Sequence, residues 1–222
     1  MRYGTINFEY AADLSTREPE ADGPVCMENF MKYRESADYD GVRGAEGTAP
    51  TGISGEQADD LYNPTEVLHK IGAEVAFFGP VVAQGSEGEW DRMGIVRYAT
   101  RRSFIEMQNR RDFKEKHVHK EAGMLYTIVM GTTPLAEHVP IERAEFVEFV
   151  LTAANQSGAP DSHTARLGVE GTIMGDGRVW GELTMRWTDG IPAVESTERG
   201  GDRNHVVARI AIDRMGKLLT DL

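Results

Sequence analysis

Two histidines, His117 and His119, lie two positions apart in the segment KHVHKEAG (residues 116–123). Their spacing has three possible interpretations, two of them chemical. On an extended segment, residues two apart project to the same side, so the pair could supply two ligands to a metal ion. An imidazole titrates near neutral pH, so either histidine could act as a general acid or base. The third interpretation is a solvated polar turn that caps a helix end.

A metal site needs a third ligand, and Glu121 follows His119 too closely to complete a His-x-His-type metal motif. We therefore predict no metal and no cofactor. We expect His119, rather than His117, to face a pocket and to transfer a proton, because His119 begins the turn into a following strand.

Two other charged residues are predicted to be catalytic: Glu28 as an alternative to His119 in proton transfer, and Arg97 in charge stabilisation. Glu28 lies between Cys26 and Phe30 on one strand face, where apolar surroundings would favour the neutral carboxyl and allow proton transfer. A wet position at a barrel rim is the alternative. Arg97 could bind a carboxylate or stabilise an enolate oxygen. A structural salt bridge, with Glu28 as one possible partner, is the alternative for Arg97.

Five further residues are predicted to contact the substrate, although aromatic residues on strands are more often part of a core. They are Asn29, Tyr33, Trp90, Tyr98 and His117.

Composition limits the class of protein. The 222 residues carry a formal net charge of −12, which argues against binding to nucleic acid or to an anionic membrane surface. No apolar run is long enough to span a bilayer, and the first residues lack the pattern of a signal peptide. Cys26, the single cysteine, cannot form an internal disulfide and fits a reducing cytoplasm. We expect a buried, inert thiol, a small-molecule partner and, as one possibility, a homodimer.

The first half of the chain contains the signals of a compact domain. Residues 1–22 read as an irregular N-terminal extension and 36–53 as a Gly-rich loop. Ser54 and Gln57 form a capping-box pattern that predicts a helix towards Ile71, broken near Pro64.

The order of the predicted elements in this half is strand, helix, strand, strand, helix, strand. The strands are 25–34, 73–84, 90–99 and 123–130, and Thr100 is expected to cap the second helix, 101–113. This order is typical of a ferredoxin-like domain.

The second half resembles a degenerate copy of the first. Residues 63–79 align without a gap with 159–175, so that Lys70 meets Arg166 and Glu74 meets Glu170. The predicted fold class is therefore α+β, with two tandem ferredoxin-like (βαββαβ) modules. The predicted domains are an N-terminal extension (1–22), module 1 (23–135) and a degenerate module 2 (141–222).

Five segments in register carry a family resemblance: DGPVCMENFMKYR, SGEQADDLY, IGAEVAFFG, WDRMGIVRYATRRSFIEM and HVHKEAG. Together they resemble a largely uncharacterised bacterial branch of the dimeric α/β-barrel superfamily, over about residues 22–132. The resemblance implies that the two modules pair their sheets in an intrachain barrel, with a pocket between a sheet and its helices. It also implies that His119 matches the single histidine of that branch.

Two departures from the resembling branch concern the site. Glu28 stands where an aliphatic residue is expected, and the second copy keeps only His205 of the His-rich stretch. The resemblance therefore implies one working pocket, in module 1.

The superfamily includes cofactor-independent monooxygenases, polyketide cyclases, muconolactone-type isomerases and haem enzymes, so the fold does not select one reaction. We predict a cofactor-independent enzyme (a lyase, cyclase, isomerase or monooxygenase) that acts on a hydrophobic oxygenated small molecule by proton transfer. The alternatives are a non-catalytic small-molecule-binding or assembly protein, and a haem-binding or metal-binding protein, in which an axial histidine would face a large pocket.

Overall fold

The computed structural model describes residues 3–47, 49–135, 144–154 and 163–216. Ten strands are present within these ranges: β1 (Thr5–Ile6), β2 (Val25–Tyr33), β3 (Glu74–Gln84), β4 (Arg92–Tyr98), β5 (Met124–Pro134), β6 (Phe146–Thr152), β7 (Thr164–Gly175), β8 (Glu182–Thr188), β9 (Arg203–Arg209) and β10 (Ile212–Asp213). The eight long strands pair antiparallel in the order β7-β5-β2-β4-β3-β9-β6-β8, and a β7–β8 pairing closes the ring. The chain therefore forms a closed antiparallel barrel.

The helices that lie wholly within the described residues all come before β5 in the chain. They are α1 (Phe8–Thr16), a short 3₁₀ turn (Pro19–Ala21), α2 (Gly55–Tyr62), α3 (Thr65–Lys70), α4 (Arg101–Asn109) and α5 (Arg111–Gly123). The predicted irregular extension thus contains a helix, α1, which begins where the Asn7 side chain accepts a hydrogen bond from Tyr10 N at 3.0 Å.

Local signals predicted several helix boundaries correctly. In the capping box of α2, Gln57 N donates to Ser54 Oγ at 3.1 Å, and Ser54 N donates to Gln57 Oε1 at 2.9 Å. Helix α3 restarts after Pro64 because proline cannot donate a backbone hydrogen bond in mid-helix. Gly72, with φ of 70°, ends this helical segment in a conformation that favours glycine.

The prediction of two tandem ferredoxin-like modules is wrong. The connection between β8 and β9, residues 189–202, should hold a helix of the second module, but it is fully described and contains none. This segment contains Pro192 and three glycines, which disfavour a helix. It runs instead along the barrel, where Thr197 N donates to Gly85 O at 3.1 Å.

The predicted tandem alignment also pairs unlike structures. Lys70 lies in helix α3, whereas its predicted counterpart Arg166 lies in strand β7. The strands of both halves belong to one closed sheet in which β5 pairs with β7 and β3 pairs with β9. The boundaries of the predicted domains are not tested by this arrangement and stay predictions.

The side chains of β2 point alternately into two hydrophobic clusters, one inside the barrel and one outside it. Cys26 and Phe30 point into the barrel and join its interior cluster, whereas Val25 and Met27 point outward and pack in a second cluster with residues of α3, α4 and α5. The helices therefore cover the outer face of the strands from the first half of the chain. The interface between these strands and helices is where a pocket can form.

A pair of glycines allows α1 to pack against the seam between β5 and β7. Gly131 lies opposite Gly171 in this pairing, and the Tyr10 ring lies over both. A Cβ atom at Gly171 would approach the Tyr10 ring to 2.7 Å, so only glycine leaves room for the ring.

No helix among the described residues is both long and apolar enough to span a bilayer. The predicted cytoplasmic location, the predicted absence of nucleic-acid and membrane partners, and the possible homodimer stay predictions.

Candidate functional site

A cavity of about 530 Å³ lies between the outer face of β2–β5 and the helices α2–α5. Its walls are mainly apolar because the outward positions of these strands and the inward faces of the helices carry large hydrophobic side chains. Apolar wall residues include Met27, Met31, Leu68, Val75, Val96, Phe104, Ile105, Met107, Phe113, Val129 and Ile173. The volume and the apolar lining are typical of a site for a small organic molecule.

Helix α5 presents a stripe of side chains to this cavity. Phe113, His117 and Lys120 follow one another at spacings of four and three residues, which places them on the same side of a helix, and all three line the cavity. Helix α2 crosses α5 closely, since a Cβ at Gly55 would lie 2.3 Å from Gly123 O. The close crossing brings Asp59 of α2 to the same part of the cavity wall.

Five polar or titratable side chains on the cavity wall lie near one hydrogen bond. Tyr3 Oη and His117 Nε2 are 2.7 Å apart. The Tyr62 ring lies 5.8 Å from the His117 ring between centroids, and Lys120 Nζ lies 5.2 Å from the centroid of Tyr62. We call Tyr3, Asp59, Tyr62, His117 and Lys120 the polar cluster.

Asp59 is buried and anchored through one of its two oxygens. Its Oδ2 accepts a hydrogen bond from Tyr33 Oη at 2.6 Å and lies 3.6 Å from a guanidinium nitrogen of Arg92. Its Oδ1 and the Nδ1 atom of His117 are buried and have no hydrogen-bond partner in the described chain. Such a buried polar atom costs about 1–3 kcal/mol, so both atoms can gain a partner from a bound molecule.

Burial sets the protonation states of the polar cluster. Desolvation, with a smaller contribution from the charge of Lys120, lowers the pKa of His117 to about 4. Desolvation also lowers the pKa of Lys120, and the negative charge of Asp59 opposes this effect. The pKa of Tyr3 is raised, chiefly by burial. At neutral pH the Tyr3–His117 pair is therefore an uncharged phenol and an uncharged imidazole, able to donate or accept hydrogen bonds.

The cavity wall contains His117 and not His119, the reverse of what we expected. The segment KHVHKEAG belongs to helix α5 and is neither an extended segment nor a turn. His119 Nδ1 lies 2.8 Å from Tyr39 Oη, in the loop between β2 and α2. A catalytic role for His119 stays a prediction, although the structure places the residue outside the cavity.

The other two predicted catalytic residues lie on the inner face of the barrel. Glu28 is fully buried and its Oε1 accepts a hydrogen bond from Thr132 Oγ1 at 2.6 Å, so it is not at a wet rim. Desolvation raises the pKa of Glu28 to about 8. Arg97 is four residues from Met93 on β4, so both lie on the same face of the strand. Met93 belongs to the interior cluster, and Arg97 lies opposite Cys26 of β2. The structure does not bring these residues together with either histidine.

Three of the five predicted substrate-binding residues line the cavity, and the other two are buried elsewhere. Asn29, Tyr98 and His117 line the cavity. Asn29 donates to Met27 O at 3.1 Å, and Tyr98 Oη donates to a methionine sulfur of α4. Tyr33 is not on the cavity wall but holds Asp59, and Trp90 is buried inside the barrel.

The sequence predictions missed four members of the polar cluster: Tyr3, Asp59, Tyr62 and Lys120. The stripe on α5 was detectable, because no proline or glycine interrupts the chain between Asn109 and Gly123. Tyr3 had no local signal, since its partner His117 is remote in sequence.

Within the described part of the chain, no group of three or more His, Cys, Asp or Glu residues is arranged to hold a metal ion. The two α5 histidines contact different tyrosines, Tyr3 and Tyr39, so they do not form a joint site.

Fold and site together define a closed antiparallel barrel that encloses, with its helices, a cavity of small-molecule size. No family model and no curated protein matches the sequence. Among solved structures, a protein of unknown function from Rhodopseudomonas palustris is 20% identical, with a TM-score of 0.49 over 62% of this chain and 100% of that chain.

Two other structural neighbours have names that state a function. A chlorite dismutase variant from Candidatus Nitrospira defluvii is 9% identical, with a TM-score of 0.45 over 96% of this chain and 98% of that chain. A haem-binding protein from Thermus thermophilus is 11% identical, with a TM-score of 0.40 over 90% of this chain and 96% of that chain. These scores establish neither a family nor an activity, and the predicted bacterial branch stays a prediction.

Proposed function

We propose that the chain binds a mainly apolar small molecule that carries an oxygen-containing group. The observation that supports this proposal is the cavity of about 530 Å³, whose walls are mainly apolar and include the polar cluster around the Tyr3–His117 hydrogen bond. Burying the apolar part of a ligand there would contribute about 25 cal/mol for each Å² removed from water.

The polar cluster would orient the ligand. Depending on which partner of the Tyr3–His117 bond donates, His117 Nδ1 is an acceptor or an N–H donor. Lys120 adds a donor, and Asp59 Oδ1 adds an acceptor. A hydroxyl, carbonyl or carboxyl group on the ligand can complete these hydrogen bonds.

Proton transfer by His117 is a second candidate function. An uncharged imidazole beside a mainly apolar cavity can accept a proton from a bound molecule, and Tyr3 is in hydrogen-bonding contact with it. This proposal keeps the predicted class, a cofactor-independent enzyme acting on an oxygenated small molecule, but assigns the proton transfer to His117. The predicted reaction types, lyase, cyclase, isomerase and monooxygenase, stay predictions.

Haem binding, the other alternative, stays a prediction. His117 is the histidine on the cavity wall of the described chain, and an axial ligand must direct a ring nitrogen into the pocket. Its Nε2 is bound to Tyr3, so Nδ1 would have to serve as the axial nitrogen, and the ring is packed against Phe113 at 5.1 Å and Tyr62 at 5.8 Å between centroids. Because we predict no cofactor, a haemin titration should not give the Soret shift of a histidine-bound haem.

A tryptophan placed in the cavity tests the binding proposal. Val96 lines the cavity from β4, so Val96→Trp should fill it. The variant should no longer bind anilinonaphthalene sulfonate, a fluorescent probe whose aromatic rings are apolar. Val82→Trp, at an exposed position on β3, is the matched control and should bind the probe as the unchanged protein does. The overpacked variant is expected to lose about 1–3 kcal/mol of stability, so its folding is checked by circular dichroism.

Equal probe binding by both folded tryptophan variants would contradict the proposal. Native mass spectrometry of the unchanged protein gives an independent readout: a co-purified apolar small molecule should be present and should be lost in Val96→Trp.

A further inference from the structure

We propose that the side chain of Lys120 forms an imine with a bound molecule that carries an aldehyde or ketone group. The inference rests on the proposed binding function, because the carbonyl compound must first enter the cavity. It narrows the oxygen-containing group of the ligand to a reactive carbonyl.

The surroundings of Lys120 differ from those of Lys32, Lys70 and Lys116. Lys32 and Lys70 are held by carboxylates at 2.8 and 3.0 Å, and Lys116 Nζ donates to Asn63 O at 3.1 Å. Within the described chain, Lys120 is the lysine on the cavity wall, and no described carboxylate lies within ion-pair distance of its amine. Its Nζ instead lies 5.2 Å from the centroid of the Tyr62 ring.

An amine in this position is suited to attack a carbonyl carbon. Only the unprotonated amine has a free electron pair, and burial lowers the pKa of Lys120, which increases the unprotonated fraction at neutral pH. The ligand would be held by the apolar walls, so the amine and the carbonyl would react at a high effective concentration. The same apolar walls would limit the access of water, which hydrolyses an imine.

The reaction is balanced without an oxidant or a reductant. The Lys120 nitrogen bonds to the carbonyl carbon, the C=O electron pair moves to oxygen, and transfer of a proton from nitrogen to oxygen gives a carbinolamine. The carbinolamine then loses its hydroxyl group, with one proton, as water, and the C=N bond forms. Asp59, whose charge acts on Lys120, and the Tyr3–His117 pair are the neighbouring groups that can move these protons.

Reductive trapping with decanal tests the inference. Cyanoborohydride reduces an imine to a stable secondary amine, so the modified lysine can be found by peptide mass mapping of the full chain. Modification of Lys120 should exceed that of Lys116, on the same helix but outside the cavity, by about tenfold or more. Decanol, which has the same chain but no carbonyl, should suppress this modification in proportion to its binding.

Two variants complete the experiment. Lys116→Ala should be modified at Lys120 as before, whereas Lys120→Gln should lose the selective adduct and keep only slow labelling of exposed lysines. An adduct spread evenly over the lysines, and unchanged in Lys120→Gln, would overturn the imine.

Binding of decanol to the unmodified protein separates the two proposals. If decanol displaces anilinonaphthalene sulfonate but decanal labels Lys120 no faster than Lys116, the imine is wrong and the binding function stands. If neither decanol nor decanal displaces the fluorescent probe, both proposals fail.

Discussion

His117 and His119, two residues apart on α5, hydrogen-bond to tyrosines from different parts of the chain. His117 Nε2 lies 2.7 Å from Tyr3 Oη, and His119 Nδ1 lies 2.8 Å from Tyr39 Oη. A helix has about 3.6 residues per turn, so side chains two apart point in different directions. A shared metal site would need both side chains on the same side. The two histidines instead lie in two different environments.

The first prediction separates these two environments. His117→Gln should weaken binding of an oxygen-bearing apolar ligand by about tenfold, the scale of one lost hydrogen bond. His119→Gln should leave binding within about twofold, because Tyr39 is not on the cavity wall. Calorimetric titration with the co-purified ligand or with decanol measures both. Equal losses in the two variants would show that the cavity does not bind through His117, and a greater loss in His119→Gln would favour the original catalytic prediction.

The second prediction concerns Glu28, whose pKa is raised from its ordinary value of 4.5 to about 8 by burial inside the barrel. In the folded chain the carboxyl keeps its proton up to about pH 8, whereas in the unfolded chain it loses the proton near pH 4.5. The folded state therefore binds more protons between these values, so the free energy of unfolding falls as the pH rises through this window. The loss is on the order of 3–5 kcal/mol.

Glu28→Gln removes this titration while keeping the shape of the side chain. Urea denaturation at about pH 4.5 and about pH 8.5 should show a smaller loss of stability in the variant than in the unchanged protein. The variant should be the more stable of the two at the higher pH. Parallel stability curves for the two proteins across this range would rule out a raised pKa at Glu28.

The third prediction uses the contact of Tyr10 with the seam between β5 and β7. Gly171→Ala should cost about 1–3 kcal/mol, because the new Cβ would lie 2.7 Å from the Tyr10 ring. Combining Gly171→Ala with Tyr10→Ala should cost less than the sum of the two single changes, since the clash is removed. Gly23→Ala, where a Cβ meets nothing within 4 Å, is the control and should change stability little. Strict additivity in the thermal denaturation of the double variant would exclude the contact.

The fourth prediction is that Cys26 reacts only when the chain unfolds. The thiol is fully buried, and burial raises its pKa well above the usual range, so little nucleophilic thiolate exists in the folded state. Alkylation by iodoacetamide should be negligible without denaturant and complete in concentrated urea, as measured by intact mass. Rapid modification of the folded protein at neutral pH is the contrary result.

Local signals were sufficient for several elements of the first half, though not for α1 or for the extent of α5. The capping boxes at Ser54 and Thr100 each predict where a helix begins, because their hydrogen bonds involve only residues close in sequence. Pro64 predicts a break between helical segments, and Gly72 predicts the end of one.

The rest depended on contacts that are remote in sequence. Similar composition in residues 63–72 and 159–168 suggested a repeated helix, yet Arg166 and Leu167 lie in β7, where tertiary pairing with β5 and β8 decides the conformation. The predicted end of the second helix at Phe113 also hid the helical spacing of His117 and Lys120, so the chosen histidine was the wrong one for the cavity. Helix α5 continues to Gly123.

The two seams between the halves of the barrel differ in strength, and this difference has a consequence for amide exchange with deuterated solvent. Between β3 and β9 the ladder is short, from Val81 opposite Ala208 to Gln84 opposite Val206, and a bulge interrupts it. The ladder between β5 and β7 is longer and is covered by Tyr10. Amides along β9 that face β3 should therefore exchange earlier than those of β2, which is paired along its length on both sides. Local opening of the barrel would then begin between β3 and β9. It would give an open sheet in which β5 and β7 remain paired.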